Sequence, residues 1–171
     1  LMDKRAPLLP PFYSRYVHLV SAVSLPQGLL ESGLVLHKYA SNWTDEEAEF
    51  RYAEGKWSAR EVLLHLLDAE RVFAYRALRF SRADQTVLPG YEEDDYAEQY
   101  VNDTRKAGDI ISEMRLLRES TAAMFAGFTP EIMERQGEAS GVQLTVRTLG
   151  EIIIGHEKHH LKVLKEKYFP N

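Results

Sequence analysis

The chain has 171 residues, 44% of them hydrophobic and 27% charged, with a formal net charge of -5 and no cysteine. That length suits one domain with a sizeable core, and the acidic balance gives no electrostatic reason to expect a nucleic acid partner. Without cysteine, disulfides, thiolate ligands and a cysteine nucleophile are excluded, so any metal must be held by nitrogen and oxygen.

Leu1 stands ahead of Met2 and is set aside as an added residue. Residues 1–11, with Pro7, Pro10 and Pro11, read as an irregular lead-in, and 12–168 as a single helical domain. Phe12 to Val23 is a short apolar segment, one or two helical turns packed on the rest, broken by Leu25-Pro26. From Gln27 to about Ala40, Leu29, Leu30, Leu34, Leu36 and Tyr39 predict a first long helix that ends at Ser41-Asn42-Trp43. The acidic run Asp45 to Glu49 reads as a helical turn or loop with a solvated face.

Ser58 and Glu61 have capping-box spacing, and a helix without glycine or proline follows to about Arg82. At about 100° per residue, Val62, Ala69, Val72, Arg76 and Phe80 share the face of His65. Leu63, Leu67 and Leu78 fall opposite, so this helix is expected to be buried on two sides. Ala83 to Arg105 is a long polar connection with a Pro89-Gly90 turn and the acidic stretch Glu92 to Asp95. A connection of that length is functional or crosses from one end of a bundle to the other.

Ala107 to Phe128 is a third long helix, with Ile110, Ile111, Met114, Leu117, Thr121, Met124 and Phe125 on one side. Thr129-Pro130-Glu131 opens a short helical turn, and Gly137 to Leu144 reads as a loop or hairpin-like excursion. Thr145 caps a fourth helix that ends near Lys167, before Phe169-Pro170. No apolar run is long enough to span a bilayer and no signal-peptide pattern opens the chain, so the expected setting is cytoplasmic, without a membrane. Four long helices and no convincing strand predict an all-α four-helix bundle with a long crossover and a short extra N-terminal helical segment.

The last helix carries Gly155-His156-Glu157-Lys158-His159-His160-Leu161, with three of the six histidines of the chain. Measured from Leu149, His156 and His160 lie roughly 20° to either side, in the middle of the apolar stripe, and His159 near 80°, at its edge. Two imidazoles at i and i+4 stack one above the other, which suits chelation of one cation. His65 points into the same bundle and supplies a third nitrogen, while His18 and His37 read as surface or edge residues. The literal match of 156–160 to H-E-x-x-H lacks a downstream third ligand, so a zinc protease is rejected. A di-iron carboxylate site needs two Glu-x-x-His motifs, and only Glu157–His160 is present.

Trp57-Ser-Ala-Arg-Glu-Val-Leu-Leu-His65, followed by Asp68 to Arg79, resembles the DinB/YfiT-like metal-binding superfamily, as do the Gly155–Leu161 motif and the Pro89–Asp95 loop. The resemblance runs from about Phe12 to Tyr168. It implies a four-helix bundle with a long crossover, frequent homodimers, and a divalent metal on His65, His156 and His160. It also implies activities spread between metal-dependent hydrolysis and thiol transfer to or from low-molecular-weight thiols.

The leading expectation is therefore a metal-dependent enzyme, zinc or nickel suiting the imidazoles, acting on a small-molecule substrate at an open coordination position. Arg76 is a candidate for binding an anionic substrate group, or else for an ion pair with Glu61 or another carboxylate. Glu61 and Asp68 are candidates to orient a ligand histidine, and Glu157 to relay a proton. The alternatives are a non-catalytic, metal-stabilised binding or dimerisation module, and a bundle with no metal at all.

Overall fold

The hydroxyl side chains of Thr44, Ser58, Thr129 and Thr145 cap the starts of the helices that follow them. The computed structural model describes residues 9–20 and 24–169. Leu1, Pro7 and most of the expected lead-in, the end of the Phe12–Val23 segment at 21–23, and Pro170 lie outside the described residues. Helix α1 is Pro11–Val17 and α2 is Leu25–Ala40. Pro26 does not merely interrupt the chain: it sits in the first turn of α2, where its missing N–H costs nothing. Helix α3, Asp45–Glu49, opens on a capping box between Thr44 and Glu47, so the acidic run is helical and complements the positive end of the helix dipole.

Helix α4 spans Ala59–Ser81 behind the Ser58–Glu61 capping box, in which each residue satisfies a backbone N–H of the other. Such a cap stabilises a helix start by about 1 kcal/mol. Leu63 and Leu67 are buried on the face opposite Val62 and His65, but Leu78 is exposed, so burial on both faces is confined to the first half. Helix α5, Glu93–Gln99, and a 3-10 turn at Tyr100–Asn102 lie inside the long connection. Helix α6 is Ala107–Ala126 and α7, capped by Thr129, is Pro130–Met133. Strands β1, Gln136–Ala139, and β2, Val142–Thr145, pair antiparallel with Gln136 opposite Thr145. The excursion is thus a real two-stranded hairpin, turned by Ser140 and Gly141, both at positive φ, and joined to Leu88 by a parallel bridge. Helix α8, Val146–Val163, is capped by the Thr145 hydroxyl and runs on into a π-turn at Leu164–Tyr168.

Four helices form the bundle. Helices α2 and α4 each pack on both α6 and α8, which makes α2 diagonal to α4, and α6 diagonal to α8. Helix α8 is antiparallel to α4: Arg135, ahead of it, reaches the Ser81 carbonyl, and Tyr168, at its end, donates to the Trp57 carbonyl at 2.7 Å. Helix α6 starts beside the start of α4, where Arg60 donates to the Asp103 carbonyl at 3.1 Å. Parallel neighbours cannot be joined by a tight turn, so residues 82–106 travel back along the whole of α4 as the expected crossover.

The buried apolar residues form two clusters, one around Leu29, Phe73, Phe125 and Ile152, the other around Leu36, Leu63, Ile110 and Leu164. Between them runs a buried polar belt with one residue from each long helix. Arg118 of α6 pairs with Glu70 of α4 at 2.9 Å and with Glu157 of α8 at 2.8 Å, and Ser32 of α2 donates to Glu157. Helix α1 lies across α8 at Gly155, where an added Cβ would come within 2.0 Å of the Tyr16 carbonyl oxygen. Only glycine allows that approach.

Candidate metal centre

His65 projects from the second turn of α4, and His156 and His160 from successive turns of α8. Antiparallel packing brings the three rings together at mid-bundle. The Nε2 atom of His156 lies 3.0 Å from Nε2 of His65 and 3.1 Å from Nε2 of His160. An imidazole nitrogen carries either one proton or one in-plane lone pair. Nε2 of His156 can therefore satisfy one of these neighbours by a hydrogen bond, not both. A cation facing all three nitrogens removes the conflict. Ligands at Zn–N lengths of 2.0–2.1 Å stand about 2.9 Å apart at right angles and about 3.3 Å apart at tetrahedral angles. The two separations from His156 fit that range, and the three donors all lie within 4.8 Å of one another.

The rings are held by aromatic walls. The Trp57 ring is tilted over His65 at 5.0 Å, and Tyr16 meets His156 edge-on at 5.2 Å. His65 and His156 are buried and His160 is nearly so. Burial lowers the pKa of His65 to about 4 and that of His160 to about 3, and pushes His156 well below its ordinary value. All three are neutral at pH 7, the protonation state in which imidazole is a ligand.

A cavity of about 240 Å³ opens over His65 and His156, walled by Tyr16, Phe73, Arg76, Tyr91 and Glu93. Glu93, from the first turn of α5, brings Oε2 to 3.8 Å from Nε2 of His65. That is too long for a hydrogen bond, and short enough for one water or a small rotation to bridge. Burial, helped by Asp94, raises the Glu93 pKa. A hollow of about 230 Å³ between α2 and α6 is lined by Leu30, Leu34 and His37 and by none of the three histidines, so we assign it no part in this site.

The side chains expected to support the histidines do not do so. Glu61 pairs with Arg51 at 2.6 Å as well as capping α4, and Asp68 accepts from the Tyr100 hydroxyl at 3.1 Å. Glu157 turns away from the site into the ion-pair belt, where burial disfavours the Arg118 charge but Glu157 and Glu70 outweigh it. It cannot relay protons to the histidines while committed there. Arg76 does face the cavity, yet among the described residues it pairs with no carboxylate: its Nη2 donates to the Pro89 carbonyl at 3.0 Å and to Ser140 Oγ at 2.9 Å. His159 sits half-buried at the edge beside Tyr16, as expected. His18 is exposed, with Nδ1 2.6 Å from the Ser14 carbonyl, and His37 is half-buried on α2. Glu93 was not anticipated. Its only sequence signal is an acidic run after a Pro-Gly turn, which reads as a solvated face.

A family model described as the DinB superfamily matches residues 32–164. Among solved structures, YfiT from Bacillus subtilis superposes with a TM-score of 0.72 at 20% identity, covering 83% of this chain and 82% of that one. It is described as a probable metal-dependent hydrolase with an unusual four-helix bundle topology. A DinB-like protein from Bacillus subtilis, YjoA, superposes with a TM-score of 0.60, also at 20% identity, over 85% of this chain and 90% of that one. None of the curated proteins compared matches the sequence. Among the described residues, no helix is long and apolar enough to cross a membrane.

Proposed function

This chain belongs to the DinB superfamily, and from that premise we propose that it is a metal-dependent enzyme holding one divalent cation on Nε2 of His65, His156 and His160. The observation that carries this reading is the triad of Nε2 atoms, which hydrogen bonding alone cannot satisfy and two of whose rings, His65 and His156, line a cavity. Zinc or nickel is the proposed metal, since both suit imidazole ligands. When bound, such a cation lowers the pKa of a water or thiol at its open position and supplies a nucleophile near neutral pH.

The reaction class is hydrolysis of a small molecule or transfer to the sulfur of a low-molecular-weight thiol, in the cytoplasm. Likeness to a probable metal-dependent hydrolase supports the first branch. The residues of the chain divide the work. Trp57, Tyr16 and Phe73 keep the rings in place and exclude bulk water. Glu93, its pKa raised by burial, stands where it can accept the proton that an incoming nucleophile gives up. Association of two copies is part of the proposal, supported by the apolar side chains Leu30, Leu34 and Val35 that α2 leaves exposed.

Metal analysis of the purified protein beside a His160→Ala variant tests the site. About one divalent ion per chain is expected in the wild type, with a loss of tenfold or more in affinity for the variant. Equal metal content in the two proteins would sink the assignment. Turnover is then sought in two panels, thiols plus electrophiles and esters plus amides. Activity in neither leaves a metal-stabilised, non-catalytic module.

A further inference from the structure

We infer that Arg76 is the anion-recognition residue of the histidine cavity, so that the substrate is a small molecule with a carboxylate or similar anionic group at one end and its reacting group at the histidines. The second half of that statement rests on the metal-dependent reading above; the first half rests on Arg76 itself.

Two arginines on the long helices are buried, and they make an internal comparison. Arg118 is 5% exposed and meets two carboxylates, those of Glu70 and Glu157. Arg76 is 3% exposed, and among the described residues no carboxylate lies within ion-pair distance of it. Its two hydrogen bonds go to neutral acceptors, the Pro89 carbonyl and Ser140 Oγ, and both use Nη2. A guanidinium has five N–H donors, so those on Nε and Nη1 are left over. Clamping the crossover to the hairpin explains one nitrogen atom. It explains neither the remaining donors nor a buried positive charge without a counter-charge, which is costly. A planar fork of free donors fits a carboxylate in bidentate fashion.

The position is suited to the role. Arg76 follows His65 by three turns on α4, about 20° from it around the axis. Side chains on a helix lean toward its N-terminus, so the long Arg76 side chain runs back toward His65. Both residues line the same cavity. The Tyr91 phenol, protonated near neutral pH and with its pKa pushed up to about 12 by burial, offers a further donor there. Glu92 and Glu93 also line the space, with Glu93 at His65, so the anion is held at the Arg76 end and not beside the histidines.

The probes are 3-mercaptopropionate and its uncharged amide, titrated calorimetrically into the metal-free and the cobalt-loaded protein. The acid is expected to bind about tenfold tighter than the amide to both forms, the scale of a charge-assisted hydrogen-bond pair. Arg76→Gln erases that preference while amide binding and cobalt stoichiometry stay as in the wild type, and Arg76→Lys keeps part of it. Equal binding of acid and amide to the wild type, binding of neither, or a preference that survives Arg76→Gln overturns the inference. The wild-type comparison decides without any variant, should Arg76→Gln fail to fold. Full cobalt stoichiometry without acid preference removes the Arg76 role alone. Acid preference with no bound cobalt removes the metal reading alone.

Discussion

Burial holds His65 and His160 neutral far below the pH at which an exposed imidazole takes a proton. Folded-state values of about 4 and about 3 lie under the ordinary 6.5, so the unfolded chain binds more protons between those limits. Stability from these groups is fully present above about pH 6.5 and is lost as pH falls toward the folded values. Each histidine costs about 1.4 kcal/mol per pH unit across that window. Urea midpoints of the metal-free protein should therefore fall steadily from pH 6.5 to 4, with a shallower slope in His65→Gln. A flat profile would mean that the rings are not buried as described. These histidines were legible because each sits at a definable angle on a long helix. The partners of Arg76 and the approach of Glu93 were not, because they come from a connection whose path no local pattern encodes. Glu157 was misread for a related reason: one residue along a helix turns a side chain about 100°, away from His156 and into the belt.

Among the elements, the belt binds the four long helices by charge as well as by apolar contact. Arg118 is the hub, and its Nη1 also donates to the Leu29 carbonyl at 2.9 Å. Arg118→Met leaves Glu70 and Glu157 buried and uncompensated, for an expected loss of about 3–5 kcal/mol in chemical denaturation. A loss within 1 kcal/mol would mean that the carboxylates find water or protonate without penalty. The starts of α4 and α8 were close to their sequence expectation, since Ser58 and Thr145 act locally. The belt was not foreseen. Arg118 and Glu70 look like solvated charges in sequence, and only the diagonal packing of the bundle turns them inward.

For the molecule as a whole, four long helices and a crossover could be read from periodicity and connection length. Which helices touch could not. The diagonal pairs depend on the path of residues 41–58 and 127–145, and the hairpin at 136–145 announced itself only as an excursion. The cation proposed for the three histidines should stabilise the folded chain by mass action, about 2.7 kcal/mol at a free concentration one hundred times Kd. For a domain of this size that raises Tm by roughly 5–11 °C, and chelation should reverse it. An unchanged Tm across that titration would place the bound metal elsewhere or nowhere.

His65 and His156 are 91 residues apart in the chain. Whatever joins them pins the two ends of a loop that spans the crossover, α6 and the hairpin. A link across about 100 residues removes disorder from the unfolded chain worth about 4.7 kcal/mol when it is permanent. A reversible link stabilises only while it is occupied. The proportion of chains open to proteases would then track the supply of metal, so that molecules made in scarcity are cleared before they accumulate.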